Sequence, residues 1–327
     1  MGLLGFRWLV NFGLLAIPIA STLGILIGLQ SHRDATGQAP LFTGDDGDDG
    51  TGDGGNVDKN GIEYIRNCDK AYGITPDSKG QEYTLNPNQW GVEDGDTGFL
   101  CMNVTAFNNG SYATDTTAPE FFVTWQYPQG PETQPVHAFP NIKVDGSVFP
   151  VELSSISSIK VDIEWTYGVG NDTASSTDET ALTANSVNTN VAIDMFLDSD
   201  KTSAEDSTKA KFEMMVWLAA FGAATQPIGL SAGAVTTETV NGTTFSLYTG
   251  QNSLDQYVLT WVASETTEKF HGDLAPLVTK LTTLSGNYPT ESDYLGYMGL
   301  GSEALYATNS TTFYVPMLSI DIEKTST

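Results

Sequence analysis

The chain has 327 residues, and 40 Asp and Glu set against 14 Lys and Arg leave a formal charge of −26 at pH 7. A surface of that sign repels polyanions and argues against nucleic acid as a partner. Apolar residues make up 40% of the chain, with 15 Phe, 13 Tyr and 6 Trp, so it can bury a sizeable core and is not a disordered acidic tail. Three histidines, His32, His137 and His271, and two cysteines do not make a His-rich or Cys-rich zinc site. No metal and no cofactor are expected, and carboxylates are the abundant reactive groups.

Residues 1–33 form the first region. Trp8 to Leu29 carries no charged residue and is long enough to cross the roughly 30 Å hydrocarbon core as a helix, and Pro18 is tolerated in such a helix. The segment reads as an uncleaved signal anchor or a cleaved signal peptide, which makes a membrane an expected partner; Arg7 and Arg33 flank it evenly, and an extracellular location for the rest is supported by the acceptor asparagines that follow. Residues 34–57, rich in Gly and Asp and without apolar periodicity, read as a disordered, solvated linker. Their Asp cluster lacks the closing Glu of a calcium loop. Residues 58–327 are the folded domain. Asn103, Asn109, Asn171, Asn241 and Asn309 each open an Asn-x-Ser/Thr acceptor, a set that fits glycosylation in a lumenal or secreted domain. Cys68 and Cys101 are either a disulfide, favoured by the apolar segment upstream, or two buried thiols.

From residue 58 onward, short runs of β-branched and aromatic residues are broken by Gly, Asn, Asp and Pro about every ten residues, the pattern of a β-sandwich or barrel. The clearest predicted strands are FFVTWQY, IKVDIEWTY, NVAIDMFLD, KFEMMVWLAA, TTFSLYT, QYVLTWVA and TFYVPMLSIDIE. In IKVDIEW, Val161, Ile163 and Trp165 share one face, and Asp162 and Glu164 the other. One helix is predicted where Asp273 precedes LAPLVTKLTTL.

Gly229-Leu-Ser231-Ala-Gly233 matches the serine-hydrolase elbow string, with Asp255 and His271 following in order. The string needs a strand, a turn and a helix, whereas AVTTETVNGTT continues as loop and strand. KFEMMVWLAA is the stronger candidate. As a strand it sends Phe212, Met214, Val216 and Leu218 into a core and places Glu213 with Met215 and Trp217 on the other face. A carboxylate in so apolar a run must face water, a partner or a substrate. NVAIDMFLD similarly places Asp194, Phe196 and Asp198 opposite Ile193, Met195 and Leu197. Carboxylates among aromatic rings suit sugar binding. Glycosidic hydrolysis commonly needs two carboxyl groups, and Glu303 in GLGSEALY is the second candidate, because small neighbours allow close approach and an apolar setting raises the pKa of an acid.

These segments together resemble glycoside hydrolase family 12, the endoglucanase and xyloglucanase family, from about Cys68 to Glu323. NQWG at 88–91, TWQYPQGP followed by VHAFPN, VELSSISSI at 151–159, AIDMFLD, KFEMMVWLAAFGAATQPIG, FHGDL at 270–274 and GLGSEALY occur in the family's order. The resemblance implies an all-β jelly-roll sandwich of two curved antiparallel sheets with one short helix. It also implies retaining, endo-acting cleavage of β-1,4-glucan, cellulose-like or xyloglucan, by a monomer. Glu213 aligns with the nucleophile, Glu303 with the acid/base and Asp194 with an aspartate beside the nucleophile. Trp90 and Met215 align with substrate-contacting positions, Trp125 with a cleft-lining strand, and Cys68 and Cys101 with an N-terminal disulfide. His137 stands where the family often has Lys and is expected at the surface. The chain departs from the family at Gly299, where Gln is usual, at Tyr127, where Trp is common, and at Leu300 and Ser302. Segments 169–188 and 198–211 read as longer polar loops. A glucan-binding protein without turnover and a transglycosylase are the rival readings.

Overall fold

The computed structural model describes residues 56–57, 61–70, 73–107 and 110–325. The apolar segment, all of the linker except Asn56–Val57, and Asn109 lie outside the described residues. Among the described residues no helix is long and apolar enough to cross a membrane.

The strands form two sheets. The seven-stranded sheet runs β1 (Asn56–Val57), β2 (Ile62–Asn67), β4 (Phe99–Phe107), β5 (Glu120–Gln126), β17 (Thr311–Lys324), β8 (Ile156–Val169) and β14 (Lys269–Asp273). The ten-stranded sheet runs β11 (Thr236–Val240), β12 (Thr243–Gln251), β13 (Tyr257–Ala263), β10 (Phe212–Phe221), β9 (Asn188–Asp198), β15 (Tyr294–Gly301), β6 (Asn141–Val144) and β3 (Tyr83–Asn86). Off this path, β16 (Ala304–Tyr306) pairs with β9, and β7 (Val151–Glu152) pairs with β15. All seven predicted strands are present, and the folded part begins two residues earlier than expected, because Asn56–Val57 pairs with Glu63–Tyr64.

Period-two alternation builds the core. Val161, Ile163 and Trp165 of β8 are buried with Phe121, Val123 and Trp125 of β5, and across from them lie Ile193, Met195 and Leu197 of β9 and Phe212, Met214, Val216 and Leu218 of β10. On the solvent face of β8, Glu164 takes an ion pair from Lys269 at 2.8 Å, and His271 Nδ1 lies 3.5 Å from Asp162. The turn between β11 and β12 is Asn241-Gly242, with φ of 46° and 86°, the pair of positive angles that a tight hairpin demands.

Two expectations are corrected. The pairing is not wholly antiparallel, because β13 lies parallel to β10. The chain leaves β10, makes the β11–β12 hairpin, and returns β13 into the gap between β12 and β10, in the direction of β10. The second correction concerns helices. Besides the predicted one, α3 (Ala275–Thr282), two occur inside the segments read as loops: α1 (Glu179–Ala184) and α2 (Lys201–Ala204). Each is one or two turns long, too short for apolar periodicity, and each starts on an Asp cap. Asp178 accepts from the amides of Thr180 and Ala181, and Asp200 from that of Ser203. In α3, Leu277, Val278 and Leu281 face the core, and Asp273 Oδ1 accepts from the amide of Ala275 at 2.9 Å.

Cys68 and Cys101 are joined by a disulfide. Of the described acceptor asparagines, Asn171, Asn241 and Asn309 are exposed and Asn103 is part-buried in β4. The disulfide closes a separation of 33 residues, for which chain entropy gives about 3–4 kcal/mol of stabilisation. Replacing both cysteines with serine is expected to lower the urea-unfolding free energy by that amount while the sheet signal in circular dichroism is unchanged.

Candidate active site

The outer face of the ten-stranded sheet carries the cluster. The register of β10 against β9 sets Glu213 opposite Phe196, Met215 opposite Asp194 and Trp217 opposite Ala192. The register of β15 against β9 sets Tyr297 opposite Phe196 and Gly299 opposite Asp194. Met215, Trp217, Ala192 and Phe139 form a second apolar cluster on this face, and Trp217 Nε1 donates to Met215 Sδ at 3.1 Å. Beyond Trp217 a register shift ends the alternation.

Glu303 reaches this face from the connection between β15 and β16. Its amide donates to Asn190 Oδ1 at 2.9 Å, Asn190 Nδ2 donates to its Oε2, and Thr189 Oγ1 donates to its carbonyl at 2.6 Å. Ser302 is fully buried behind it and donates from Oγ to the Asn190 carbonyl at 2.6 Å. Glu213 is held from the other side, where Asn252 Nδ2 donates to its Oε2 at 3.0 Å. Asn252 is itself bonded to Gln256 Oε1 at 2.8 Å, and Gln256 Nε2 donates to the carbonyls of Ser207 and Ala210.

Three carboxyls thus share one buried environment. Burial raises Glu213, and the Asn252 amide opposes the shift by favouring its charged form. Burial, then the negative charge of Glu213, push Glu303 up to about 7, against the Asn190 hydrogen bond. Asp194 is raised well above the usual carboxylate range, by burial first and then by the charges of Glu213 and Glu303, and its Oδ1 is buried without a hydrogen-bond partner. Among the described residues no group of three His, Cys, Asp or Glu side chains is placed to hold a metal ion.

The structure therefore brings Glu213, Glu303, Asp194 and Met215 together. Trp90 lies in the turn after β3 with 51% of its surface exposed; the amide of Gly91 beside it donates to the His137 carbonyl, and the His137 amide to the carbonyl of Ala304, next to Glu303. Trp125 is corrected. It belongs to the seven-stranded sheet, is fully buried between the sheets, and donates from Nε1 to Tyr167 Oη at 2.6 Å, so it offers no surface to a polysaccharide. His137 is also corrected, since it is 7% exposed and stacks on Tyr127 with ring centres 4.7 Å apart. Leu300 points into the core. Ser231 lies in an exposed turn and His271 on the other sheet, paired with Asp162, so the hydrolase string forms no triad. Asn190, Asn252 and Tyr297 were missed by sequence reading. Alternation puts Asn190 on the face of Asp194 and Tyr297 on the face of Gly299, whereas Asn252 lies in the turn after β12 and has no such signal.

Residues 81–323 match the family model described as glycosyl hydrolase family 12. The chain belongs to that family. Xyloglucan-specific endo-β-1,4-glucanase A of Aspergillus niger is 31% identical over 242 residues, which cover 74% of this chain and 86% of that protein. The enzyme of the same name from Emericella nidulans is 32% identical over 224 residues, 68% of this chain and 79% of that one. Among solved structures, the family 12 endoglucanase 3 of Trichoderma harzianum superposes with a TM-score of 0.62 at 23% identity, covering 80% of this chain and 98% of that one, a likeness of fold. This family 12 protein is a glycosidase.

A carboxyl whose pKa is raised in the native state holds a proton that the unfolded chain has already released, so stability falls as pH climbs from the ordinary carboxylate range through about 7. Chemical denaturation of wild type and Glu303→Gln between pH 5 and 8 is expected to show the decline reduced in the variant, by on the order of 3 kcal/mol. Parallel curves would contradict the raised pKa.

Proposed function

We propose that the protein is an extracellular endo-acting hydrolase of β-1,4-glucan chains, of xyloglucan or cellulose type, which retains anomeric configuration through a glycosyl-enzyme. The observation that carries this reading is the gathering of three buried carboxyls, Glu213, Glu303 and Asp194, on one sheet face of a family 12 chain. The substrate class follows the names of the relatives, and the disulfide and acceptor asparagines suit an exported protein. The uncharged stretch at 8–29 delivers or tethers it.

The roles follow from the two environments. Glu213, with an amide donor favouring its anion, attacks the anomeric carbon and forms an ester as the bond to the leaving oxygen breaks. Glu303, holding its proton up to about pH 7, passes that proton to the leaving oxygen. Glu303, now charged, takes a proton from water, the resulting hydroxide equivalent attacks the anomeric carbon, and Glu213 leaves as carboxylate. Asp194, protonated beside Glu213 on the neighbouring strand, adds no second charge to the nucleophile. The exposed ring of Trp90 offers a stacking face for a sugar further along the chain.

Reducing-sugar release from xyloglucan, carboxymethyl cellulose and mixed-linkage glucan tests this reading. Glu213→Gln and Glu303→Gln are each expected to lose at least about 10²-fold in kcat/KM. Binding without release by wild type would leave a glucan-binding protein, and products longer than the starting oligosaccharide a transglycosylase. The pH profile is a second check. Wild-type kcat/KM is expected to fall on the alkaline side near pH 7, and Glu303→Gln, assayed on an aryl glycoside whose leaving group needs no proton, is expected to lose that limb. An unchanged alkaline limb in the variant counts against Glu303 as the acid.

A further inference from the structure

Residue 299 has no side chain at a place where the register leaves no slack. Gly299 lies opposite Asp194 on one side and Lys143 on the other, in the middle of the outer face. A Cβ there would stand 2.9 Å from Tyr297 Oη and 3.4 Å from its Cε1, the first closer than real Cβ atoms come to a neighbour. The phenol of Tyr297, two residues earlier on the same face, folds across the glycine. Phe196 holds the ring edge-on, with centroids 5.4 Å apart and planes at 64°. Phe196 is also the residue opposite Glu213, so the phenol and the nucleophile flank a single ring.

The hydroxyl is placed at the carboxyl cluster. It donates to Asn141 Oδ1 at 3.3 Å, long for an O–H···O bond, so its capacity is not used up there. Burial first, then the charge of Asp194, raise the pKa of this phenol, which keeps it a donor throughout the working range. The Asp194 Oδ1 nearby is buried and unpartnered. A donor with a weak partner beside an orphan acceptor on the same face is an arrangement completed by a ligand that both accepts and donates, as a sugar hydroxyl does.

We propose that Tyr297 is a sugar-contacting residue of the reaction centre, its hydroxyl bonded to a hydroxyl of the glucose unit held between Glu213 and Glu303, and that residue 299 is glycine to let it lie there. The inference rests on the glucan-hydrolase reading. It makes Tyr297 and Gly299 one device, in which the absence of a side chain at one position sets the reach of the other.

The experiment is a double-mutant cycle on the full chain, with kcat/KM on a soluble glucan and thermal unfolding for each variant. Tyr297→Phe keeps the ring on Phe196 and removes only the hydroxyl; it is expected to lose roughly 10- to 100-fold in kcat/KM with its melting temperature within a few degrees of wild type. Gly299→Ala, which drives the hydroxyl off its place, is expected to lose a similar factor in the wild-type background and little more when added to Tyr297→Phe. In the Glu213→Gln background, Tyr297→Phe is expected to weaken binding of an intact cello-oligosaccharide in calorimetry, a readout that a purely structural hydroxyl does not move. If wild type cleaves glucan and Tyr297→Phe matches it in rate and affinity, this inference fails alone. If wild type cleaves nothing, the hydrolase reading fails and takes this inference with it.

Discussion

Alternation along two adjacent strands is the constraint on which the rest of this molecule depends. Phe212, Met214, Val216 and Leu218 must point inward to fill the space between the sheets, and because side chains change face at every step, Glu213, Met215 and Trp217 must point outward. A slip of one residue in β10 would bury Glu213 in the core and expose four apolar side chains, so hydrophobic packing enforces the position of the carboxyl. The same holds in β9, where Ile193, Met195 and Leu197 fix Asp194 and Phe196 on the outer face. The alternation is kept as far as Trp217 and broken just after it.

Packing gathers carboxyls that electrostatics would separate. Two like charges in a low-dielectric setting raise each other's pKa, and the pair is relieved when one keeps its proton. Which one does so is decided by neighbours. The Asn252 amide, braced by Gln256 against the backbone at Ser207 and Ala210, stabilises the anion of Glu213. Glu303 feels the resulting charge and holds its proton. Asp194, on the neighbouring strand, feels the charges of both glutamates as well as its own burial and is held toward its neutral form. A single array of acids is thereby divided into an anion and two proton carriers, with no cation among its hydrogen-bond partners in the described residues.

How far a sequence reveals such a site depends on the range of the interaction. The faces of β9 and β10 are local properties, and periodicity alone placed Glu213 with Met215 and Trp217, and Asp194 with Phe196; only the resemblance of whole segments set Asp194 beside Glu213. Glu303 was only one of 40 acids until whole segments were read in order, because its position is set by Asn190, 113 residues away. Asn252 and Tyr297 escaped for the same reason: the contacts that give them meaning join distant strands through register, which composition does not encode. Trp125 was misplaced because the resemblance assigned its strand to the cleft, and alternation in FFVTWQY says that one face is buried but not which sheet the strand joins. In β15 the glycine at 299 that leaves room for Tyr297 has no side chain to mark a face, so alternation there carries little signal.

The misplaced tryptophan explains how the acid is held. Trp125 Nε1 donates to Tyr167 Oη at 2.6 Å; Tyr167, its pKa pushed up to about 12 by burial, stays neutral and bonds Ser302 Oγ at 3.0 Å. Ser302 in turn donates to the Asn190 carbonyl, while Thr189 donates to the carbonyl of Glu303. An indole N–H, a phenol and two hydroxyls buried between sheets would each be costly if unpaired. They satisfy one another only when the seven-stranded sheet, the end of β9 and the turn carrying Glu303 stand in one arrangement. Closure of the core and placement of the acid are therefore the same event. A side chain 178 positions before Glu303 in sequence and on the opposite sheet reaches it without touching the outer face, which is why the acid can sit on a connection between strands and still be as fixed as a residue within one.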